Sequence, residues 1–143
     1  MIAQIIDEAK NAVMAAIKGA DDVMTALRTA VKNQITGAVK DTGSVAASGM
    51  STVKDVVTGA VTGAAEAGTE VGLAAVSVVE EAISAAEGLG VSASDAVSGA
   101  VNGAIDAAES VGGNAVDAVR KALSNAAALP RDLVEAALKG RGK

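Results

Sequence analysis

Set in rows of eleven from Ala9, the chain separates apolar from polar positions with few exceptions. Twelve rows run from 9 to 140 without an insertion, among them VKDVVTGAVTG at 53–63 and VSGAVNGAIDA at 97–107. Columns 1, 4, 5, 8, 9 and 11 hold Ala, Val, Ile, Leu or Met at 57 of 72 places, and the other five columns at 10 of 60. Eleven residues in three turns is about 3.67 per turn, close to the α-helical period. The six apolar columns then form one arc of roughly 160° and the polar columns form the complement. Alternation with period two is sustained nowhere, which sets β structure aside. The pattern predicts an all-α chain: a long, near-continuous amphipathic hendecad helix over 1–129, packed in a homo-oligomeric, coiled-coil-like assembly.

The breaks are few. Pro130 is the only proline. It removes a backbone donor and clashes with the preceding turn, so the long helix ends at Leu129. The 130–143 segment reads as a short helix, RDLVEAALK, with a basic tail. Two weak points, TGSVAASG at 42–49 and EGLGVSAS at 87–94, offer places for turns. A hairpin bundle with segments near 2–41, 53–86 and 95–129 is therefore the alternative to one helix about 190 Å long. The eleven-residue phase runs through both weak points without a slip, which favours continuity.

Composition sharpens the picture. The 143 residues include no Phe, Tyr, Trp, His or Cys, and mean hydropathy is +0.39. Aromatics usually dominate cores and interfaces, so cohesion has to come from many small side chains in close contact. Fourteen glycines between Gly19 and Gly113, at about 1 kcal/mol each, oppose an isolated helix, so burial of the apolar arc has to supply the difference. Three Gly-x-x-x-Gly spacings occur, Gly59/Gly63, Gly68/Gly72 and Gly99/Gly103. They fall on different columns, which reads as general glycine-richness rather than as a contact motif.

Charge is uneven. Ten acidic residues and no basic one lie between Asp55 and Asp117, with the basic residues toward the two ends. A net charge of −5 and this acidic middle argue against nucleic acid and strongly anionic membranes as partners. The ordinary reading is a solvated face. The functional one has basic ends, including Lys139, Arg141 and Lys143, meeting acidic middles of neighbouring copies.

Candidate chemistry is sparse. Without His or Cys the commonest general base, thiol nucleophiles and soft metal ligands are missing, and no phosphate-loop motif occurs. The chain is expected to be no enzyme, with no catalytic residue, metal or cofactor. No secretory signal or single transmembrane helix is visible, which leaves localisation open between membrane association, non-classical export and other sites.

Stretches such as VKDVVTGAVTGAAEAGTEVG at 53–72 resemble in texture the eleven-residue repeats of synucleins, apolipoproteins and late-embryogenesis-abundant proteins. Hendecad coiled coils that assemble as barrels are similar in the same way. The first group implies extended amphipathic helices on lipid, the second a helical wall. The leading expectation is a structural protein that assembles with itself into a filament, sheet or tube, with lipid as a further component to test. The expected interface is Val53, Val56, Val57, Ala60, Val61, Val97, Ala100, Val101, Ala104 and Ile105. A peripheral coat on membranes, droplets or granules is the alternative, and a helical-bundle adaptor is the third reading.

Overall fold

The computed structural model describes the backbone of residues 2–42 and 45–140. Among these residues seven helices follow one another: α1 (Ile2–Ile17), α2 (Val23–Thr42), α3 (Val45–Glu66), α4 (Val71–Gly88), α5 (Ala93–Val111), α6 (Ala115–Asn125) and α7 (Arg131–Gly140). The all-α expectation holds. The near-continuous helix does not, because the chain turns where local chemistry overrides the hendecad phase.

Those turns share a construction. At the end of α3 the Gly68 N–H donates to the Ala65 carbonyl (3.1 Å) and the Thr69 N–H to the Ala64 carbonyl (2.9 Å). After α4 the same pair of bonds runs from Gly90 to Glu87 (3.1 Å) and from Val91 to Ala86 (3.0 Å). Both glycines have φ +101°, a left-handed conformation that closes a helix at little steric cost to glycine alone. Two residues on, an acceptor side chain opens the next helix. The Glu70 carboxylate accepts from the Gly72 and Leu73 N–H groups, and the Ser92 hydroxyl from the Asp95 N–H. Asp22 serves α2 in the same way, accepting from the Thr25 N–H at 3.0 Å. The expected weak point at 87–94 is thus a real turn. The one at 42–49 straddles residues 43–44, outside the described residues. The turns at 18–22, 67–70 and 112–114 were not expected. Pro130 does divide α6 from α7.

Each even-numbered helix packs against the odd-numbered helices before and after it. The odd ones, α1, α3, α5 and α7, also pack in succession, as do α2, α4 and α6. The result is a two-layer stack of helical hairpins in which each hairpin contacts its neighbours, the logic of a solenoid. Helices α1, α3 and α5 run parallel. A Cβ added at Gly59 would collide with the carbonyl oxygen of Ile6, and one at Gly63 would stand 2.6 Å from that of Lys10. Four residues along α3 therefore match four residues along α1. At the next seam, Gly99 faces the Met50 carbonyl and Gly103 the Lys54 carbonyl, each at 2.5 Å from a would-be Cβ. Two of the three Gly-x-x-x-Gly spacings are contact devices, contrary to the glycine-richness reading. In the third, Gly68 makes a turn and Gly72 begins the next helix.

The register exposes a longer internal equivalence. DVVTGAVTGA at 55–64 and DAVSGAVNGA at 95–104 are forty residues apart and occupy matching places in α3 and α5. The same shift pairs the buried Ala75, Val79 and Ile83 of α4 with Ala115, Val119 and Leu123 of α6. From α1 to α3 the shift is forty-four, matching buried Ala9, Val13 and Ile17 with Val53, Val57 and Val61. Among the described residues the buried apolar side chains of the core are Ala, Val, Ile and Leu; a seam at which carbonyls touch a neighbouring helix has no room for a ring.

Substituting Gly103 with Ala should lower stability by about 1–3 kcal/mol, since the backbone on both sides has to move. Gly37, also within a helix, is exposed with nothing within 4 Å of its would-be Cβ. Gly37→Ala should therefore raise stability by up to about 1 kcal/mol through helix propensity. Urea denaturation of both variants checks the pair.

Candidate interaction surfaces

The ten residues expected to join copies together lie inside the single chain. Val53, Val56, Val57, Ala60 and Val61 on α3, and Val97, Ala100, Val101, Ala104 and Ile105 on α5, are all at most 1% exposed. They form the seams of the stack, so the hendecad arc is consumed by the chain's own hairpins. Any association between copies has to use other surfaces.

The charge asymmetry is also met within the chain. Lys10 reaches Glu66 (3.3 Å) across the α1/α3 seam, and Lys54 reaches Asp106 (3.6 Å) across α3/α5. These pairs occupy equivalent places: the two lysines differ by forty-four residues and the two acids by forty. Arg28 of α2 bridges to Glu80 (2.6 Å) and Glu81 (3.9 Å) of α4. All are partly exposed, so each contributes at most about 1 kcal/mol, but together they discriminate against slipped registers. The Thr58 hydroxyl adds a polar tie at α3/α5, lying 2.8 Å from the Lys54 carbonyl oxygen and 3.2 Å from that of Gly103. Of the tail residues considered for contacts between copies, Lys139 is exposed on the last turn of α7. Arg141 and Lys143 lie outside the described residues.

Three surfaces remain open. The first is a groove of about 640 Å³ between α4 and α6, floored by Val76, Ala118 and Ala122 and rimmed by Leu73, Asp117 and Lys121. Leu73 is 55% exposed. A shift of forty-eight residues matches buried Leu27, Val31 and Ile35 of α2 with Ala75, Val79 and Ile83 of α4. By that shift Arg28 becomes Val76, and by the forty-residue shift from α4 to α6 Glu80 and Glu81 become Arg120 and Lys121. The bridge that closes α2/α4 is therefore absent from α4/α6, and among the described residues no ion pair crosses that groove. The even layer is also looser: a Cβ at Gly72 would meet Ala118 and Ala122 at an ordinary 3.4 Å.

The second open surface is the outward side of α1, where Glu8, Asn11 and Ala15 are exposed and Ala12 is half-buried, followed by exposed Lys18 and Gly19 in the turn beyond it. By the forty-four-residue shift Ala12 and Ala15 correspond to Val56 and Gly59 of α3, while Gly19, the counterpart of Gly63 in sequence, has φ +79° and lies in the turn beyond α1. The third is the first turn of α5. Ala93 and Ser94 are exposed there, although the matching Val53 and Lys54 of α3 are covered or half-covered.

Among the described residues no group of three or more His, Cys, Asp or Glu could hold a metal ion, and no helix is long and apolar enough to cross a membrane. One carboxylate is unusual. Asp55 is 6% exposed, and burial pushes its pKa up, opposed by Lys54 and reinforced by Asp106. An acid whose folded pKa is raised binds its proton more tightly in the folded chain. Its favourable contribution is complete below the ordinary carboxylate pKa and is lost as pH rises through the raised value. Asp55→Asn should therefore raise the thermal midpoint at pH 7, and the gain should shrink to nothing below about pH 4. Thermal melts across that range check it.

Comparison of the chain with protein-family models, with curated proteins and with solved structures returns no match.

Proposed function

We propose that the protein is a structural, self-associating helical stack that works by joining surfaces rather than by catalysis. The observation that carries this reading is the outward side of α1. It presents the small residues Ala12 and Ala15 at positions equivalent to Val56 and Gly59 of α3, and among the described residues Ala15 there is exposed. In a solenoid each unit offers one half-seam to the unit before it and another to the unit after. A heterologous contact of that kind continues from copy to copy rather than closing a pair.

The expected behaviour is growth in mass with concentration, followed by sedimentation velocity and by negative-stain microscopy of the products. Ala15 is exposed, so Ala15→Glu should leave the helical signal and melting point unchanged while reducing association at least tenfold. A full-length chain that remains a single copy up to millimolar concentration contradicts the reading.

A second reading has its own support. The equivalences within the stack recur at forty, forty-four and forty-eight residues, and two of these are not multiples of eleven. A compact stack gives no reason for the eleven-residue phase to continue through the turn at 87–94. Hairpins opened on a lipid surface would reunite the apolar columns into one arc, the arrangement of a peripheral coat. The expected outcome under this reading is that zwitterionic phospholipid vesicles bind the chain and increase the exchange-protected length at 87–94. Unchanged protection with saturating vesicles rejects it.

A further inference from the structure

The α4/α6 groove has a counterpart in the same layer that is closed. At α2/α4 Arg28 spans the seam to Glu80 (2.6 Å) and Glu81 (3.9 Å), and Ser77 of α4 is 5% exposed. The forty-residue shift turns Ser77 into Asp117 and Glu81 into Lys121, and both of these are exposed. The forty-eight-residue shift turns Arg28 into Val76, which is too short to cross the seam and carries no charge. What remains is a groove of about 640 Å³ with Val76, Ala118 and Ala122 on its floor. Leu73 stands at its edge, 55% exposed, the highest value among the large apolar side chains described. The rim is charged in a definite order. Asp117 and Lys121 are four residues apart on α6 and so lie one turn apart on one side of the helix. Among the described residues neither enters an ion pair. The third charged group lining the groove, Glu70, accepts from the Gly72 and Leu73 N–H groups at the start of α4.

We infer that this groove is a pairing surface for a second copy of the chain, joined in an antiparallel, two-fold arrangement. A closed two-fold contact sets one patch against itself, so the patch has to be self-complementary. An axis passing between Asp117 and Lys121 meets that condition, because Asp117 of each copy then faces Lys121 of the other. A parallel arrangement sets like charges together, which selects the antiparallel one. The same rotation turns each Leu73 toward the facing apolar floor, and apolar contact inside a charged rim is the usual anatomy of an interface. The patch is no longer than the eleven residues of α6, about 16 Å. That is less than the roughly 800 Å² per partner of a standard interface, so the pair is a transient one. The contact is closed, and it does not use the outward side of α1. It therefore goes beyond the stacking reading and does not rest on it.

The test is made in the full-length chain carrying Ala15→Glu, which blocks the contact of the stacking reading. Sedimentation equilibrium up to millimolar concentration should show a reversible two-copy species. Asp117→Lys, Lys121→Glu and Leu73→Ser, each added alone, should raise its dissociation constant at least tenfold. All three positions are exposed, so circular dichroism should show unchanged helical content. An equal mixture of the Asp117→Lys and Lys121→Glu chains should pair again, because each then meets opposite charges on the other. A merely local effect of either substitution on α6 is not repaired by mixing. Three results overturn the inference. One is a parent chain that stays a single copy throughout, which leaves the groove to a partner other than a second copy; the stacking reading is then decided separately by the chain without Ala15→Glu. The second is pairing that survives all three substitutions, which puts the contact elsewhere. The third is a mixture that pairs no better than its components, which removes the charge complementarity.

Discussion

Everything in this molecule depends on how closely two parallel helices can approach. At α1/α3 and α3/α5 a glycine pair faces carbonyl oxygens so directly that a single methyl group would have nowhere to go. That approach removes the need for large side chains, because Ala and Val already fill the space between backbones at such separations. It also accounts for the glycine content. The helix propensity given up at Gly59, Gly63, Gly99 and Gly103 is offset by dispersion contacts along the seams, which only a smooth surface allows. The missing aromatics and the abundant glycines are two consequences of one geometry.

Charge then selects which close approach is made. A smooth Ala/Gly seam has little intrinsic preference for one register over the next turn. The pairs Lys10–Glu66 and Lys54–Asp106 recur at equivalent places, and Arg28 spans the other layer to Glu80 and Glu81. Each of these interactions is modest, yet a slip of one turn would separate all of them at once. The concentration of basic residues toward the start and acidic residues in the middle is therefore a registration pattern between hairpins of one chain. Where the pattern reverses, at Val76 opposite Arg120 and Lys121, the even layer opens into a groove.

Much of this was legible in the residues and some was not. The apolar columns do mark the buried face: Val53, Val57, Val97 and Val101 are fully enclosed, and Pro130 does separate a short last helix. Periodicity identifies which side of a helix is covered, but not whether the cover comes from the same chain or another, so the same ten residues fit an assembly and a folded stack equally well. Apart from the one at 87–94, the turns go unmarked in the eleven-residue frame because each is short and keeps the helical phase. Their signal was local: a glycine followed two or three residues later by a capping acceptor, as in Gly68–Glu70, Gly90–Ser92 and Gly19–Asp22. The glycine pairs leave no mark in the eleven-residue frame because they lie on different hendecad columns. They do so because their spacing follows the forty-residue equivalence of neighbouring hairpins, which an eleven-residue frame hides.

The parallel α1/α3 seam is the central claim, and one distance tests it. Spin labels at Asn11 and Ala67, both exposed, are fifty-six positions apart in the chain. In the stack Asn11 lies on α1 and Ala67 just past the end of α3, two neighbouring helices whose axes are about 8–10 Å apart, so electron–electron double resonance should give a distribution centred below about 20 Å. A continuous hendecad helix places the same labels about 80 Å apart. A single short-distance population supports the stack, and a population near the long distance, or no resolvable short one, contradicts it.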